Sequence, residues 1–499
     1  MSIRRLSGLG AGALLLVAAT LVALPPEASA ATQNVTIRDN TFNPEEIRID
    51  PGDSVLWTYT NGRNTHRVQS DERGGYDSGD MRPGDTYEKR FTEEGYYPYF
   101  CRYHGGRNGA GMAGLVIVGD PPPPDNDTTR DPRRKLVVPR DFKTIQGAVD
   151  RAKPRTTIVV RPGTYREAVV VQTDNITIRG VDRFRTILNG GDNKGTGITF
   201  DGVRKAKVAN LTVRNYVGNG IYFNNVNGYT ATRVDSIKNR TYGIYAFDSY
   251  DGVIKRSFGW GSGDSAFYVG QCLGCSALLE NLTSRYNYLG YSGTNATGVI
   301  IRDSLFKNNG AGVVPNTLPT EELGPNRGTI VVDNRIVNNN YSTVPAAGFS
   351  ETVGIPFGTG IWFPGVENNV ARRNVIRKHN SYGVLVSQSL DESLPMNNTV
   401  VSNTIRNSDS DGDGYGYDLA WDGTGANNCF SNNDIEGATG PPMIQDLYAC
   451  ANRPFTGTPF PPVQAHLAAS VTNVETREQE EPPEPNRPRC QRGAPGCSR

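Results

Sequence analysis

Short runs of alternating apolar and polar residues fill residues 31–120 of the 499-residue chain. The run Ser-Val-Leu-Trp-Thr-Tyr-Thr at 54–60 is typical, and turns such as Pro51-Gly52-Asp53 and Pro83-Gly84-Asp85 separate such runs. The pattern predicts six β-strands, at residues 35–38, 46–49, 54–60, 86–91, 96–101 and 114–118. Short strands of this kind, closely spaced, predict a β-sandwich.

A second pattern begins at Leu136, where a small residue followed by an apolar one recurs every 22–24 residues, with one double step of 48. These pairs are Gly197-Ile198, Gly220-Ile221, Gly243-Ile244, Ala266-Phe267, Gly290-Tyr291, Gly312-Val313, Gly360-Ile361 and Gly383-Val384. Such a period, with short apolar runs and no helical stretch, predicts a parallel β-helix. Stacked coils would align Ile198, Ile221, Ile244 and Phe267 in its interior.

Asparagines recur on the same period and are expected to form hydrogen bonds between coils in a turn; they are Asn215, Asn239, Asn308, Asn338 and Asn407. The open end needs a cap, and residues 144–152 form a short amphipathic helix in the right place. That helix, with the strand and turn at 157–165, looks like the entry of pectin-lyase-like proteins, and the repeats resemble the right-handed β-helix family over about 136–450. The expected fold class is therefore all-β.

Strand alternation places the residue two after each small residue on the outer face of a coil. These residues are Thr199, Tyr222, Tyr245, Tyr268, Ser292, Val314, Trp362 and Leu385. Tyr222, Tyr245 and Tyr268 are expected to stack about 4.8 Å apart on adjacent coils. With Trp362 they are candidate glycan-binding residues, on an extracellular or cell-wall polysaccharide. The alternative is that tyrosine simply packs well on a β surface.

The ends and the junction of the chain differ in composition from the two patterned regions. Residues 1–30 have Arg4 and Arg5, an apolar run and an Ala-Ser-Ala site, which predict a cleaved signal peptide and export. No later segment is apolar enough to span a membrane. Residues 121–135 predict a Pro-rich linker, and residues 451–499, rich in Pro, Glu and Arg, predict a disordered tail. A net charge of +1 argues against binding to nucleic acid.

Export changes how the seven cysteines are interpreted. Proximity in the sequence predicts three disulfides, Cys272–Cys275, Cys429–Cys450 and Cys490–Cys497. Cys272-Leu-Gly-Cys275 also has the spacing of a redox motif, but it lacks the βαβ context of such motifs. One cysteine, Cys101, has no partner.

Cys101 lies in a pattern of metal ligands. His104 follows three residues later, Met112 lies on the next predicted strand, and His66 comes from an earlier strand end. Two imidazoles, one thiolate and one weak thioether are the ligands of a blue-copper site. Zinc is the chemical rival, but methionine is a poor zinc ligand.

This region resembles the plastocyanin-type cupredoxins, most specifically in Tyr99-Phe100-Cys101-x₂-His104 and Gly111-Met112-x-Gly114-x-Val116. The resemblance covers 31–120 and implies that His66, Cys101, His104 and Met112 bind one type 1 copper. It departs from plastocyanin in having seven residues, not four, between His104 and Met112. A Gly-rich insertion of this kind can loop out while both ligands stay in place.

Asp409-x-Asp411-x-Asp413-Gly has the opening of a calcium-binding loop. The last ligand of such a loop is normally acidic, but Ala420 stands at that position. Asp418 or Asp422 would have to replace it. The alternative is an ordinary solvated acidic loop.

Polysaccharide lyases, hydrolases and epimerases with this fold work from one outer sheet face. The nearby acidic candidates are Asp201, Asp248, Asp251 and Asp264, but the Gly-His-Gly and Asp-Pro-His-Asp motifs of such enzymes are absent. His379 and His466 are interpreted as surface or structural residues.

The predicted function is an exported type 1 copper protein, for one-electron transfer or copper carriage, with the β-helix as a docking or glycan-binding module. The redox partner is not specified by the sequence. Two alternatives remain: a carbohydrate-active β-helix enzyme with an accessory copper domain, and a copper-site maturation factor.

Overall fold

The computed structural model describes residues 30–38, 40–70, 75–92, 95–106, 110–119, 135–341, 344–345, 354–410, 412, 416–454, 456–472 and 479–480. The chain divides into two compact units, residues 1–129 and 130–499. The signal-peptide and linker predictions, and the Cys490–Cys497 pair, lie outside the described residues.

The described part of the first unit is a sandwich of two four-stranded sheets, ordered β2-β1-β4-β6 and β3-β8-β7-β5. Its strands are β1 (Thr32–Arg38), β2 (Thr41–Asn43), β3 (Glu46–Ile49), β4 (Ser54–Tyr59), β5 (Val68–Ser70), β6 (Thr86–Arg90), β7 (Gly95–Gly106) and β8 (Ala110–Val118). Alternation decides which side chains face inward: in β4, Val55, Trp57 and Tyr59 are fully buried and the residues between them are half-buried. The predicted sandwich is confirmed.

The second unit is built almost entirely of short strands. They are β9 (Lys135–Val138), β10 (Thr157–Val160), β11 (Gly163–Tyr165), β12 (Val169–Val171), β13 (Thr177–Gly180), β14 (Thr186–Asn189), β15 (Ile198–Asp201), β16 (Arg204–Arg214), β17 (Ile221–Asn224), β18 (Asn227–Ile237), β19 (Ile244–Phe247), β20 (Tyr250–Lys255), β21 (Phe258–Trp260), β22 (Ser265–Gly270), β23 (Ala277–Glu280), β24 (Thr283–Arg285), β25 (Leu289–Thr294), β26 (Val299–Arg302), β27 (Leu305–Lys307), β28 (Ala311–Asn316), β29 (Ile330–Val332), β30 (Arg335–Val337), β31 (Val344–Pro345), β32 (Thr359–Pro364), β33 (Val370–Arg372), β34 (Val375–His379), β35 (Tyr382–Ser387), β36 (Thr399–Val401), β37 (Thr404–Ser408), β38 (Tyr417–Trp421), β39 (Cys429–Ser431), β40 (Asp434–Ile435), β41 (Thr439–Gly440) and β42 (Gln479–Glu480). The helices are α1 (Ile145–Arg151), α2 (Ile444–Leu447) and α3 (Pro461–Thr472), with one 3₁₀ turn at Cys450–Asn452.

Each coil contributes strands that pair in parallel with the same strands of the next coil. One layer is the sheet β12-β15-β17-β19-β22-β25-β28-β32-β35-β38-β41. Its register pairs Ile198 with Ile221, Ile221 with Ile244 and Ile244 with Phe267, and all four side chains are fully buried. The predicted parallel β-helix and its interior ladder are confirmed.

The repeated glycine has a steric cause. A Cβ at Gly243 would meet the main-chain carbonyl of Ala266 on the next coil, and one at Gly360 would meet that of Gly383. The coils therefore approach too closely at this corner for a larger residue to replace glycine without a shift of the backbone.

Buried asparagines connect the coils at two turns. At one, Asn309 receives hydrogen bonds from Asn287 and donates to Asn339. At another, the Asn374 side chain accepts from the main-chain and side-chain N–H groups of Asn334, at 3.0 and 3.1 Å, and donates to Asn403. Of the predicted asparagines, Asn239 is fully buried and accepts a 3.1 Å hydrogen bond from Tyr216 N–H. Asn338, one residue before the buried ladder, donates to Asn308 at 2.8 Å, so the predicted hydrogen bonds between coils are present at these positions.

Helices pack on the β-helix at its entry and on one outer sheet face. Helix α1 buries Ile145 and Val149 and is capped at its N-terminus by the Thr144 side chain, which accepts from Gly147 N–H. Helix α3 buries Val463 and Leu467 against apolar side chains on the outer face of the sheet that contains β35. The predicted disordered tail is therefore wrong for Pro461–Thr472, because Val463 and Leu467, four residues apart, cover an apolar surface.

Among the residues that the structure describes, none of the helices has the length and apolar character that would be needed to cross a bilayer.

Candidate metal centre

Strand pairing in the first unit brings three predicted ligands together. His66 forms a two-way main-chain bridge with Met81 and stands two residues before β5, whose Val68 pairs with Cys101 on β7. His104 follows on the same strand. The sandwich thus places the imidazoles of two segments beside one thiol.

Met112 lies opposite these residues because the β7–β8 ladder is irregular there. Phe100 pairs with Ala113 and Gly105 pairs with Gly111, so four residues of β7 stand against one residue of β8. That one residue is Met112, whose side chain is buried in the same apolar cluster as Cys101. The long spacing between His104 and Met112 is therefore accommodated within a β-hairpin.

The donor atoms converge tightly. Cys101 Sγ lies 3.6 Å from His66 Nδ1 and 3.5 Å from His104 Nδ1, and a ligand atom of each residue lies within 4.8 Å of the others. Cys101 forms no disulfide. Cys101 and His66 are fully buried, whereas His104 is half-buried. In the described part of the chain this is the one cluster of three His, Cys, Asp or Glu residues arranged to hold a metal ion.

The donor set suits copper better than zinc. A thiolate and a thioether favour Cu(I), and imidazoles accept Cu(II). Aromatic rings pack behind the site: Tyr59 meets His66 edge-on at 4.8 Å, and Trp57 and Tyr99 pack edge-on at 5.2 Å. This packing restricts movement of the ligands.

A polar network outside the site connects the two ligand segments, and the sequence did not point to it. Arg67, next to His66, forms ion pairs with Asp77 and Asp80, at 2.6 and 3.3 Å. Tyr103, next to His104, donates a 2.8 Å hydrogen bond to the same Asp80 carboxylate. Hydrogen bonding from Arg67 lowers the pKa of Asp77. In the sequence, this network is marked only by the positions of Arg67 and Tyr103 next to the ligands His66 and His104.

The tyrosine stack on the β-helix does not form the predicted platform. Tyr222 and Tyr245 stack with ring centroids 4.7 Å apart and planes 9° apart, and Tyr242 packs on Tyr245 at 4.3 Å. In-register strands set equal side chains one strand spacing apart, so the rings cover one another's faces. Tyr268 is 4% exposed and Trp362 is 3% exposed. The predicted stacking is present for Tyr222 and Tyr245, which are half-buried, but the predicted exposure is wrong for Tyr268 and Trp362.

Burial has a specific cause at each of these two residues. Trp362 lies in an apolar cluster with Ile355 and Phe357, and its Nε1 donates to Ser387 Oγ at 2.8 Å. The Tyr268 ring packs against those of Tyr242 and Tyr245, with centroids 4.9 and 4.8 Å away. Burial, and secondarily the carboxylates of Glu321 and Asp264, raise the pKa of Tyr268.

Asp264 lies beside this stack and is 5% exposed. Burial raises the pKa of its carboxyl to about 7, while hydrogen bonding by Tyr242 and Ser265 lowers it. Asp201 accepts a hydrogen bond from Asn224, and Asp248 accepts one from Tyr250. His379 and His466 have structural contacts: the ring of His379 is buried 3.3 Å from Ile336 O, and that of His466 lies 2.8 Å from Tyr382 Oη.

The calcium prediction concerns a loop that is only partly described. Asp411 and Asp413 lie outside the described residues, whereas Asp409 is within them. The substitutes have other partners: Asp418 is buried and accepts from main-chain N–H groups, among them that of Ser408, and Asp422 accepts from Gln388 and Thr424 N–H groups. Both carboxylates thus already accept main-chain hydrogen bonds within the β-helix.

Two of the predicted disulfides are present in the second unit, Cys272–Cys275 and Cys429–Cys450. Cys272 and Cys275 are fully buried in a coil of the β-helix, which accords with a structural role.

Two family models match the chain. The model described as copper binding proteins, plastocyanin/azurin family, matches residues 30–119. The model described as periplasmic copper-binding protein (NosD) matches residues 154–355.

Individual proteins match parts of the chain. A chloroplastic plastocyanin from Tetradesmus obliquus is 37% identical over 87 residues, which are 15% of this chain and 57% of the plastocyanin; the chain thus spans little more than half of it. Amicyanin-alpha from Methylorubrum extorquens is 32% identical over 99 residues, 18% of this chain and 76% of the amicyanin. The mannuronan C-5 epimerase A-module of Azotobacter vinelandii matches in structure, with TM-score 0.43, 15% identity, and 59% and 90% of the two chains covered.

Proposed function

Because the chain belongs, through residues 30–119, to the plastocyanin/azurin family of copper-binding proteins, we propose that it is exported and transfers single electrons at one type 1 copper site. The observation that carries this proposal is the convergence of His66, Cys101 and His104 around one point, with the thiol sulfur 3.5–3.6 Å from two imidazole nitrogens. The apolar run and Ala-Ser-Ala site of residues 1–30 support export.

The ligands have distinct roles in this proposal. His66, Cys101 and His104 would hold the metal through two imidazoles and a thiolate, and Met112 would add a weak thioether donor. Bound copper supplies an ion that is stable as Cu(I) and as Cu(II). The rigid aromatic packing behind the ligands keeps their positions similar in both states, which lowers the reorganisation that accompanies each electron.

His104 is the proposed path for the electron. Its ring is half-buried, whereas Cys101 and His66 are fully buried. The neighbouring Tyr103 is 51% exposed and its ring centroid lies 6.4 Å from that of His104. A redox partner that docks on this exposed edge would approach the ligand set most closely through the His104 imidazole.

Copper carriage is the second candidate, and the match of residues 154–355 to a periplasmic copper-binding family favours it. In that case the β-helix docks an acceptor, and the first unit releases its metal as a copper-site maturation factor would. A catalytic role of the β-helix has less support: Asp264 is 5% exposed, and the rings of Tyr222 and Tyr245 cover each other.

One experiment separates electron transfer from carriage. The full chain loaded with Cu(I) is oxidised and reduced repeatedly, and copper retained by the protein is measured after each cycle. The same protein is then mixed with a series of Cu(I) chelators of increasing affinity, which stand in for a copper acceptor. Electron transfer predicts retained copper and repeated cycling; carriage predicts fast loss to the acceptor in the reduced state. Failure to bind copper would refute both.

A further inference from the structure

One turn near the entry of the β-helix, between β13 and β14, is longer than its counterpart on the next coil. The strand register places residues 180–186 opposite only residues 210 and 211. On that next coil Asn210, with a positive φ, turns the chain within a single strand. Residues 181–185, which we term the entry loop, are therefore an insertion, since the same corner is formed without them one coil later.

The entry loop exposes two apolar side chains. Val181 is 53% exposed and Phe184 is 57% exposed, and the Arg183 guanidinium lies 5.8 Å from the centre of the Phe184 ring. Exposed apolar residues that are scattered singly are common on protein surfaces. Whether this pair has a function therefore depends on how firmly the loop holds it and on what surrounds it.

Hydrogen bonds fix the entry loop to the coils behind it. The Asp182 carboxylate accepts from the main-chain N–H groups of Phe184 and Arg185, at 2.9 and 3.0 Å. Arg183 Nε donates at 2.8 Å to Asp235, which is buried two coils further along the β-helix. The loop thus presents its apolar side chains in a fixed position, and binding through them would cost little ordering of the loop.

The surroundings of the entry loop are basic. Residues 135–214 contain 16 Lys and Arg but 7 Asp and Glu, in a chain whose net charge is +1. Arg179 precedes the loop on β13, Lys207 lies on the adjacent strand β16, and Arg161 belongs to the turn of the preceding coil; all three are exposed. The exposed apolar pair is therefore surrounded by positive charge.

We propose that the entry loop attaches the protein to an anionic lipid membrane, with Val181 and Phe184 inserted at the headgroup level and the surrounding basic residues near the lipid phosphates. Apolar side chains flanked by Lys and Arg match the two layers of a membrane interface, which are acyl chains and anionic headgroups. A purely polyanionic partner would use the charges but leave the apolar side chains in water. The inference goes beyond the copper chemistry and rests on the proposed export.

The test measures cosedimentation of the full chain with vesicles of phosphatidylcholine alone and of phosphatidylcholine mixed with phosphatidylglycerol. Wild type should bind only the vesicles that contain phosphatidylglycerol. The double variant Val181→Ser/Phe184→Ser should bind at least about ten-fold more weakly, because it loses the burial of two apolar side chains. The control Leu394→Ser/Leu447→Ser, which removes two exposed apolar residues elsewhere in the second unit, should bind as wild type does.

A second pair of variants tests the charges. Arg179→Gln/Lys207→Gln should bind about 25-fold more weakly, at about five-fold for each charge removed near the membrane surface. Arg335→Gln/Arg377→Gln, an equal loss of charge at exposed positions on later coils, should bind as wild type does. Equal losses in the two pairs would indicate attraction by the whole protein and would overturn the proposal.

Fluorescence tests insertion directly. The four native tryptophans are each 5% exposed or less, so a shift in emission on vesicle binding reports the introduced indole. The emission of Phe184→Trp should shift to shorter wavelength and be quenched by brominated acyl chains, whereas that of Leu447→Trp should not change. Absence of vesicle binding by wild type, or an unshifted emission of bound Phe184→Trp, would overturn the proposal. Thermal melts identify any variant that does not fold, and none of these outcomes depends on the copper spectrum, so failure of the entry loop and failure of the copper assignment are distinguishable.

Discussion

Replacing Asp264 by Asn should make the β-helix more stable at alkaline pH and remove part of its pH dependence. The Asp264 carboxyl is 5% exposed, and its Oδ1 has no hydrogen-bond partner among the described residues. Burial without full compensation raises its pKa from 3.8 to about 7. Asparagine has nearly the same shape and cannot ionise.

The sign and size of the effect follow from this pKa. Between about pH 4 and pH 7 the folded chain holds a proton at Asp264 that the unfolded chain has released, so the free energy of unfolding falls as pH rises. The contribution is fully present below pH 4 and is lost above pH 7. The difference between 3.8 and about 7 corresponds to at most roughly 4 kcal/mol.

The assay is denaturant unfolding of wild type and Asp264→Asn at pH 4 and pH 8.5, monitored by circular dichroism. The two proteins should have similar stability at pH 4, and the variant should be more stable at pH 8.5, by up to about 4 kcal/mol. His379, whose pKa burial lowers to about 4, titrates in both proteins and cancels in the comparison. The reasoning would be refuted if the stability difference between wild type and Asp264→Asn were the same at both pH values. It would also be refuted if wild type were more stable than the variant at pH 8.5.

Three further predictions concern other parts of the molecule. Asn374→Ala should lower the free energy of unfolding by roughly 2–5 kcal/mol in the same assay, since it leaves several buried polar groups without partners; a change below 1 kcal/mol would contradict the ladder's role. Asp80→Asn should speed copper dissociation up to about five-fold, because it weakens a partly exposed link between ligand segments, and Tyr103→Phe should act in the same direction; unchanged dissociation in both variants argues against that link. Peptide mapping of non-reduced protein should recover Cys272 linked to Cys275, and recovery of two free thiols would revive a redox role.

The fold was predictable because two sequence periods come from backbone geometry: the two-residue alternation of the strands and the repeat of about 23 residues for each coil. At one corner of each coil a Cβ would contact the next coil, so a small residue recurs there once per coil. Gly243 and Gly360 are examples. The copper ligands were recognisable because they are rare residue types with fixed chemistry, placed close together in the sequence apart from His66. Both signals are local or strictly periodic.

What could not be predicted depends on contacts between distant segments. Alternation alone placed Tyr268 and Trp362 on the outer face of the coil, which is correct for the strand. Apolar residues of other segments then bury Trp362, and the rings of Tyr242 and Tyr245 pack against Tyr268. The stacking of Tyr222 on Tyr245 also depends on side-chain torsions that the register leaves open. Helix α3 was missed because its apolar partners lie on other coils, far away in the sequence. The link through Asp80 joins residues from three segments.

The most direct measurement is the absorption and electron paramagnetic resonance spectrum of the full chain loaded with Cu(II), beside that of Cys101→Ser and of His379→Gln as a histidine control outside the site. Wild type and His379→Gln should show the intense visible band of thiolate-to-copper charge transfer and the small hyperfine splitting of a type 1 site, whereas Cys101→Ser should be colourless. Colourless wild type, or a band that survives the loss of the Cys101 thiol, would contradict the assignment of His66, Cys101, His104 and Met112 as a blue-copper centre.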